Sequence, residues 1–551
     1  MPTTKIYIND IESYLGINLK KFIDIVPYIG MEIDQIDVDS IKLEYTSNRL
    51  DYGFPTGVFK SIEGILDIET GIIKYTKKKG PNYFYIYVDP NMHNVRPYIG
   101  GVVIKNVSLS DRMVEYIINF QEDLHNTIGR GRRKVSIGIH NFDKIKFPIK
   151  YTLKNKEYSF IPLNYDREMS IQEILETHEK GRKYGYIVQN SEWGYPILED
   201  ASGQTLSFPP IINSQHTQID ENTRNLFIDV TGTDENSIND TINLLSTALS
   251  DIGGEIYIVT SVYPHKEVEY PKLNYRKITI DANECREILG IDLDKHLIIK
   301  SLRRMRYDAN EKRGKIEVTI PPYRIDILHP IDIIEDVSIG YGYWNITPTL
   351  TDIYFSEPKR LSMIEFVNKI EDILMGLGFI QVMNMMLINR EVQTKYLNKT
   401  MNVVTVMDPK TKRNTLRAWL TPSILETISI NLAEKYPLKV FEIGYVIEKD
   451  LREKWKLCVA IGDYKVNYMD IKSVVDTLFK LLGINNKVDF IEIDEEFLIK
   501  GRAAKIIANG KNIGFLGEIH PEILLNFKID IPIAISEIYL EEVMNIYQEK
   551  L

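Results

Sequence analysis

The sequence predicts a multidomain α+β protein. The chain has 551 residues, which corresponds to roughly three to five domains of ordinary size. Hydrophobic residues make up 44% and charged residues 26%, as in folded proteins with several apolar cores. Segments with apolar residues at helical spacing alternate with short strand-like segments bounded by Gly and Pro. Changes in this pattern predict four domains, over residues 1–95, 96–265, 270–346 and 355–551.

The bulk composition argues against several classes of protein. The formal net charge is −10, whereas a protein that grips nucleic acid over its whole surface is basic, so any RNA contact is local or made by a partner. No apolar run approaches the ~18 residues of a membrane span, and the first residues resemble neither a signal nor a transit peptide. The two cysteines, Cys285 and Cys458, have no metal-ligand spacing. We therefore expect a cytoplasmic protein with no membrane segment.

The first predicted domain begins with a strand over residues 5–8 and a helix that ends near Gly16. Further on, Arg49 and Asp51 interrupt apolar runs just before a Phe-Pro-Thr-Gly turn leads into another helix. We interpret these polar residues as a hydrogen-bonded loop with a structural role.

The second predicted domain changes to short strands and turns with one clear helix. Its segment 129–134, GRGRRK, is the most basic in the chain, with four cationic residues out of six. Contact with a phosphate and an ordinary solvated loop explain so short a run equally well, and both interpretations stay open.

A strand–helix junction is the most informative part of this domain. The strand over 225–230 runs into a helix that is capped by Thr233 or Asp234. The helix is indicated by apolar residues at helical spacing: Ile238, Ile242, Leu245, Leu249 and Ile252. Asp229 and Thr231 therefore lie where a strand end meets a helix N-terminus, a common place for a pocket with free backbone N–H groups.

The hairpin before this strand, which turns at Ser202-Gly203, supplies two more polar candidates, Ser207 and Asn213. Helix capping does not account for these two residues together with Asp229 and Thr231. We predict that the four side chains line one pocket.

The third predicted domain contains four carboxylates within eleven positions: Asp326, Asp332, Glu335 and Asp336. Pro330 stands where the first turn of a helix favours proline, and a helix starting there places the last three carboxylates on one face. Crowded carboxylates repel one another unless a cation lies between them, and oxygen-only ligands suit magnesium or calcium rather than zinc. The spacing is not that of an EF-hand, which favours magnesium.

An acidic first helical turn offers a second explanation of the same residues, because carboxylates there complement the helix dipole. In that case Arg324 is a salt-bridge partner of the carboxylates. Chemistry alone leaves the two explanations about even.

The run PPYRIDILHPIDIIEDVSIGYGYW, residues 321–344, resembles the magnesium-binding domain of phenylalanyl-tRNA synthetase β subunits, most closely the archaeal and eukaryotic type. The resemblance extends over nearly the whole chain in one domain order. It implies that the four carboxylates hold magnesium and that residues 96–265 form an editing domain. It further implies that residues 270–346 are a small α/β domain and residues 355–551 an antiparallel-sheet domain similar to class II synthetase catalytic domains.

The last domain departs from the class II pattern at positions that matter for catalysis. Met385 replaces the proline of the first motif, and Glu448 stands where the second motif has an arginine that grips ATP phosphate. No arginine follows Arg502, although the third motif ends in one. A carboxylate repels a triphosphate, so this domain is expected to be an inactive copy that pairs with an active one.

The resemblance therefore implies a β subunit that acts with an α subunit in an α2β2 assembly, attaching phenylalanine to its tRNA with ATP as substrate of the complex. The amphipathic helix and apolar strand over 361–387 are the expected contact surface. The editing pocket is expected to remove tyrosine, because an apolar pocket rejects an added hydroxyl only about a hundredfold. A free-standing editing hydrolase and a non-catalytic tRNA-binding scaffold are the alternatives.

Overall fold

The computed structural model of the chain contains two compact units, residues 1–350 and 351–551. The structure describes residues 1–80, 84–188, 192–348, 350, 358–407 and 409–549. Both units combine mainly antiparallel sheets with packed helices, which confirms the multidomain α+β prediction. The four predicted domain ranges stay predictions, and the limits at 355 and 551 lie outside the described residues. Among the described helices, none is long and apolar enough to cross a membrane.

The first unit opens with a small antiparallel sheet. In spatial order its described strands are Thr3–Tyr7, Ser40–Glu44 and Glu32–Ile36. Its helices are Ile8–Leu15, Leu19–Ile25 and Pro55–Ile65. Before the third helix, Arg49 donates two hydrogen bonds of 2.9 and 2.8 Å to the buried Asp51 carboxylate. This buried pair supports the structural interpretation of the loop.

A large sheet dominates the rest of the first unit. Nine described strands follow one another in space: Ile212–Asn213, Thr205–Phe208, Tyr195–Glu199, Ile149–Lys154, Phe84–Val88, Glu255–Tyr263, Tyr98–Lys105, Leu226–Gly232 and Val135–Asn141. Lys266–Tyr270 and Lys77–Lys78 also pair with Glu255–Tyr263. Ser159–Phe160 and Met169–Ser170 form a separate pair. The accompanying helices are Asp111–Asn126, Ile171–Thr177, Glu179–Tyr184 and Glu235–Asp251.

The end of the first unit is a small α/β region with its own apolar core. Its described strands, in spatial order, are Arg276–Ile280, Lys315–Ile320 and Asp308–Lys312. Its helices are Ala282–Leu289, Lys295–Arg304 and Pro330–Tyr341. The last helix approaches its neighbour closely, since a Cβ atom on Gly340 would lie 2.1 Å from the carbonyl oxygen of Ser301.

The second unit is built on one sheet with an apolar core on each face. Its described strands, in spatial order, are Ile380–Gln381, Leu438–Ile447, Glu453–Gly462, Ile533–Tyr539, Lys511–Ile519, Leu498–Ala508 and Val488–Glu492. Every neighbouring pair is antiparallel except the first. Leu387–Ile388 pairs separately with Thr415–Leu416. The helices are Ser362–Gly376, Arg390–Gln393, Thr421–Ile430, Tyr468–Leu482, Pro521–Asn526 and Leu540–Gln548.

Short-range capping explains where the helices nearest the predicted sites begin. Asp234 accepts the backbone N–H of Ser237 at 3.0 Å and so caps the helix Glu235–Asp251. The helix starts at Pro330, as predicted; His329 caps it, and the Asp332 carboxylate accepts hydrogen bonds from the backbone N–H groups of Leu328 and His329. The strand–helix junctions expected from the sequence are therefore present.

Candidate functional site

The large sheet holds a polar cavity of about 230 Å³ beside the strand Leu226–Gly232. Ser207, Asn213 and Asp229 line it, three of the four residues predicted for a pocket. Ser207 and Asn213 are paired across the neighbouring strands Thr205–Phe208 and Ile212–Asn213. The structure therefore brings these three residues to one cavity.

Thr231, the fourth predicted residue, does not line this cavity. Its hydroxyl accepts a 2.9 Å hydrogen bond from Arg96 Nε, and its carbonyl accepts one of 2.8 Å from the same guanidinium. Arg96 also donates to the backbone carbonyls of Arg132 and Arg133. Thr231 thus ties the end of its strand to the loop that carries the basic run.

A fully buried histidine holds the Asp229 carboxylate. His140 Nε2 lies 3.0 Å from Asp229 Oδ1, and His140 Nδ1 lies 2.7 Å from the hydroxyl of Thr217. The imidazole therefore bridges the Asp229 carboxylate and the Thr217 hydroxyl, with a proton on Nε2 facing the carboxylate, which can only accept. The hydroxyl of Ser207 lies 3.4 Å from the same oxygen, Oδ1. Asp229 is therefore oriented by an imidazole and a hydroxyl, and it forms no ion pair with a Lys or Arg side chain among the described residues.

Gly138 makes room for this histidine–carboxylate pair. It faces Asp229 across the antiparallel register of the two strands. A Cβ atom there would lie 2.5 Å from Asp229 Oδ1 and 2.7 Å from His140 Nε2. The sequence analysis did not place His140 or Gly138 in the pocket. The available signal was that Ser136, Gly138 and His140 alternate with isoleucine and so share one face of the strand.

The opposite wall of the cavity is a charged cluster. Arg132 donates a 2.7 Å hydrogen bond to Glu122 and two more to the carbonyls of Pro210 and Ile211. These bonds fix the turn between the strands Thr205–Phe208 and Ile212–Asn213. His125 Nε2 accepts the backbone N–H of Ile137 at 2.8 Å, so its proton is on Nδ1, 3.3 Å from Glu122.

Burial sets the charges in this wall. It lowers the pKa of His125 to about 4, so the imidazole is neutral at neutral pH. Burial opposes ionisation of Glu122, but the hydrogen bond from His125 and the charge of Arg132 together lower the pKa of that carboxyl. Burial and the charge of Arg132 also lower the pKa of Lys180, which lines the same cavity.

The basic run 129–134 is divided between the two interpretations left open. Arg132 is buried and bonded to protein groups, and Lys134 pairs with Asp234 at 3.3 Å. Arg130 and Arg133 are exposed. A phosphate contact in this run would therefore depend on those last two residues.

Three of the four carboxylates in the third region accept hydrogen bonds from neighbouring protein groups. Asp326 accepts two short hydrogen bonds from Arg324, of 2.9 and 2.7 Å, and Asp336 accepts one of 2.6 Å from the same guanidinium. Asp336 also accepts the hydroxyl of Tyr307. Asp332 accepts backbone N–H groups at 2.8 and 2.7 Å in the helix cap.

Arg324 balances the charge of this cluster only in part. Burial raises the pKa of Asp326, but Arg324 outweighs that effect and lowers it. Glu335 is exposed overall, but partial desolvation of its carboxyl and the charges of Asp336 and Asp332 raise its pKa. Within the described part of the chain, no three His, Cys, Asp or Glu side chains are arranged to hold a metal ion. As arranged here, the four carboxylates do not form a magnesium ligand set, because Arg324 holds Asp326 and Asp336 and the helix cap holds Asp332.

The second unit lacks the cations expected of an active synthetase site. Glu448, at the place of the phosphate-gripping arginine, lies 3.8 Å from Arg452. The predicted contact surface over 361–387 is strongly apolar and exposed: Leu361, Met375, Ile380, Met383 and Met385 are each at least half exposed. An exposed apolar patch of this kind marks an interaction surface.

Three family models match successive parts of the chain. The model named B3/4 domain matches residues 105–250, that named tRNA synthetase B5 domain matches 278–343, and that named phenylalanyl tRNA synthetase beta chain CLM domain matches 346–540. A solved N-terminal fragment of the phenylalanyl-tRNA synthetase β-subunit from Pyrococcus horikoshii superposes with a TM-score of 0.60. That fragment is 36% identical, and the match covers 62% of this chain and 99% of the fragment.

The fold and the matched domains define the class of protein as a tRNA synthetase chain. Curated phenylalanine–tRNA ligase beta subunits match it end to end: that of Archaeoglobus fulgidus is 37% identical over 98% of each chain. That of Pyrococcus horikoshii is 36% identical over 98% of this chain and 99% of its own. The chain belongs to the phenylalanine–tRNA ligase beta subunit family, which confirms the resemblance found in the sequence.

Proposed function

We propose that this chain is the β subunit of a phenylalanine–tRNA ligase that acts in the cytoplasm with an α subunit. The complex attaches phenylalanine to its tRNA and uses ATP as substrate. The observation that carries the proposal is the end-to-end match, at 37% identity, to a curated beta subunit. Both cysteines, Cys285 and Cys458, are buried free thiols, as suits a reducing compartment.

The aminoacylation site belongs to the α subunit in this proposal. Glu448 would repel a triphosphate, and no arginine follows Arg502 to neutralise one. The exposed apolar residues between 361 and 387 are the surface offered to the partner, in an α2β2 tetramer. Their burial on assembly supplies the affinity, since each apolar side chain removed from water contributes about 1.5–3 kcal/mol.

The β subunit's own chemistry is editing. Asp229 Oδ1 is engaged by His140 and Ser207, while the carboxylate faces the cavity. A tyrosine side chain in this cavity would donate its phenolic hydrogen to Asp229, and Asn213 would border the same pocket. Phenylalanine has no hydroxyl and would leave the buried carboxylate without that donor. A pocket built to hydrogen-bond a hydroxyl rejects the analogue lacking it by about 10⁴–10⁵.

The walls position the mischarged end of the tRNA in this proposal. Arg132 holds the Pro210–Ile211 hairpin that closes the cavity, and Lys180 offers a partly buried cation near its mouth. A cation there would attract the phosphate groups of the tRNA end. The magnesium ion predicted on Asp326, Asp332, Glu335 and Asp336 has no part in this chemistry, because those residues do not fit it as arranged.

Phenylalanine-dependent exchange between ATP and pyrophosphate tests the division of labour. We expect no exchange by this chain, and exchange by the mixture with its α subunit above that of the α subunit alone. Exchange by this chain alone would contradict the inactive-domain proposal. Silence in the mixture, or a native mass of a monomer, would favour a free-standing editing hydrolase or a scaffold.

A further inference from the structure

The second unit contains a cavity of about 470 Å³ that neither charging nor editing uses. Small-molecule sites in proteins are about 300–1,000 Å³, so this volume suits one small ligand. Part of its lining comes from neighbouring strands: Lys505 lies directly opposite Phe515, and Phe515 directly opposite Glu537. Directly opposite residues of antiparallel strands share one face of the sheet. One face therefore presents a cation, an aromatic ring and a carboxylate in a row.

Aromatic rings form the apolar part of the cavity. The Trp419 and Phe497 rings are 5.2 Å apart and nearly perpendicular, and Phe497 and Phe515 repeat that geometry at 5.2 Å. All three rings line the cavity. Trp419 and Phe497 are 4% and 2% exposed, and Lys399 Nζ lies 5.2 and 4.8 Å from their ring centroids, so Phe515 offers the most accessible ring surface.

The carboxylate Glu537 is already satisfied by the protein. One oxygen accepts the backbone N–H groups of Leu420 and Thr421 and the hydroxyl of Thr421, at 3.0, 2.8 and 2.7 Å. The other accepts Lys456 Nζ at 2.9 Å. Glu537 thus caps the helix Thr421–Ile430, and its charge is already balanced by Lys456.

One lysine of the lining is left unbalanced. Lys399 pairs with Glu495 at 3.3 Å and Lys456 pairs with Glu537. Lys505 forms no ion pair with any carboxylate in the described parts of the chain. The charged residues that line the cavity therefore sum to one excess positive charge, carried by Lys505 beside the Phe515 ring.

We infer that this cavity binds a small aromatic anion. The planar ring of the ligand lies against Phe515, which packs edge-to-face on Phe497, and its carboxylate or phosphate accepts hydrogen bonds from Lys505. An aromatic carboxylate and a nucleoside monophosphate share this chemistry. The inference does not depend on the proposed charging or editing activities, since no residue of either proposal lines the cavity.

Equilibrium titration of the full-length chain with two probes tests the inference. Benzoate represents aromatic carboxylates and adenosine monophosphate represents nucleotides, with benzamide and adenosine as their uncharged counterparts. We expect saturable binding of at least one charged probe, about tenfold tighter than its uncharged counterpart, because a charge-assisted hydrogen bond is lost in the latter. The probe that binds identifies the source. Failure of both charged probes to bind would overturn the inference.

A matched pair of variants locates the anion. Lys505→Met should weaken binding about tenfold, since it removes one charge-assisted hydrogen bond. Lys500→Met, on the same strand but outside the cavity and 80% exposed, should leave binding unchanged. Equal binding by parent and Lys505→Met would contradict the inference. So would a fluorescence change on binding that persists in Trp419→Phe, because the ligand would then lie elsewhere.

Discussion

Asp229, which is 2% exposed, and Asp326, whose side chain is 8% exposed, are both aspartates of the first unit, yet their surroundings differ. Asp326 is bound in a bidentate manner by Arg324, which also binds Asp336. Asp229 is bound by the imidazole of His140 and the hydroxyl of Ser207 and borders a cavity. Arg324 engages both oxygens of the Asp326 carboxylate, whereas the Asp229 carboxylate borders a space that a ligand can enter.

This difference teaches how to separate structural from functional carboxylates. A buried ion pair satisfies itself, and removing one partner is costly because an unpaired charge stays behind. A carboxylate that no guanidinium or ammonium group binds keeps its capacity to accept a hydrogen bond from a ligand. The predictions below test this contrast, from the largest expected effect to the smallest.

Replacement of the internal cation should have the largest effect. Arg324→Met leaves Asp326 and Asp336 buried without their counterion and should lower the free energy of unfolding by about 3–5 kcal/mol. Lys277→Met, which breaks an exposed pair with Glu317, should cost about 0–1 kcal/mol. Urea unfolding of both variants measures these values. A loss below about 1 kcal/mol in Arg324→Met would show that the cluster is not held by that guanidinium.

Metal removal is a separate test of the same cluster. Because Arg324 holds Asp326 and Asp336 and the helix cap holds Asp332, chelation of divalent ions should leave the urea midpoint of the parent chain unchanged. A midpoint that falls on chelation and is restored by magnesium alone would show that the four carboxylates do hold the ion. In that event Arg324 would have to move away from Asp326 or Asp336.

Titration of His125 should give the next largest effect. Burial lowers its pKa from 6.5 to about 4, so its stabilising contribution is complete above pH 6.5 and is lost as the pH falls through about 4. The shift corresponds to roughly 3 kcal/mol. The stability difference between the parent and His125→Gln should shrink by that amount from pH 7 to pH 4. A constant difference would contradict the neutral, buried state assigned to this imidazole.

Asp123 and Asp326 also make the stability of the chain depend on pH, independently of His125. Burial raises the pKa of Asp123 to about 6, so its contribution has the opposite sign and is lost as the pH rises through 6. The pKa of Asp326 is lowered, so its contribution persists until the pH falls below the ordinary aspartate value of about 3.9. Comparison of parent and variant at each pH removes both contributions.

Loss of the ligand-facing carboxylate should affect editing rather than stability. Asp229→Ala removes the acceptor for the tyrosine hydroxyl and should slow release of tyrosine from mischarged tRNA by about 10–100-fold. Charging with phenylalanine by the complex should be unchanged. Asp166→Ala, an exposed aspartate in the same region, is the control. An unaltered deacylation rate would remove Asp229 from the site.

A methyl group at Gly138 should disturb the Asp229–His140 pair. The new Cβ atom would collide with Asp229 and His140, so Gly138→Ala should cost about 1–3 kcal/mol and also slow editing. Gly376→Ala meets no atom within 4 Å and should not destabilise the chain. Unfolding and deacylation measurements on the pair give the answer. Normal editing by Gly138→Ala would mean that the position of the Asp229–His140 pair does not matter.

Much of the local structure was predictable because its causes lie within a few residues. The cap at His329 before Pro330 and the cap at Asp234 both follow from residue type and spacing. The pocket was predicted in part: Ser207, Asn213 and Asp229 meet, but Thr231 binds Arg96 instead. Residue type alone could not distinguish them, since both Asp229 and Thr231 are buried on the same strand.

The sequence by itself determined the family, the α+β class and the helix starts, because these depend on local pattern and on motifs spread along the whole chain. Only the tertiary structure decided the partner of each buried charge. Asp229 meets His140 across 89 positions of sequence, and Arg324 lies two positions from Asp326 but joins it to Asp336 through a chain reversal. A carboxylate's role depends on which donor packs against it, and packing between distant strands sets that donor.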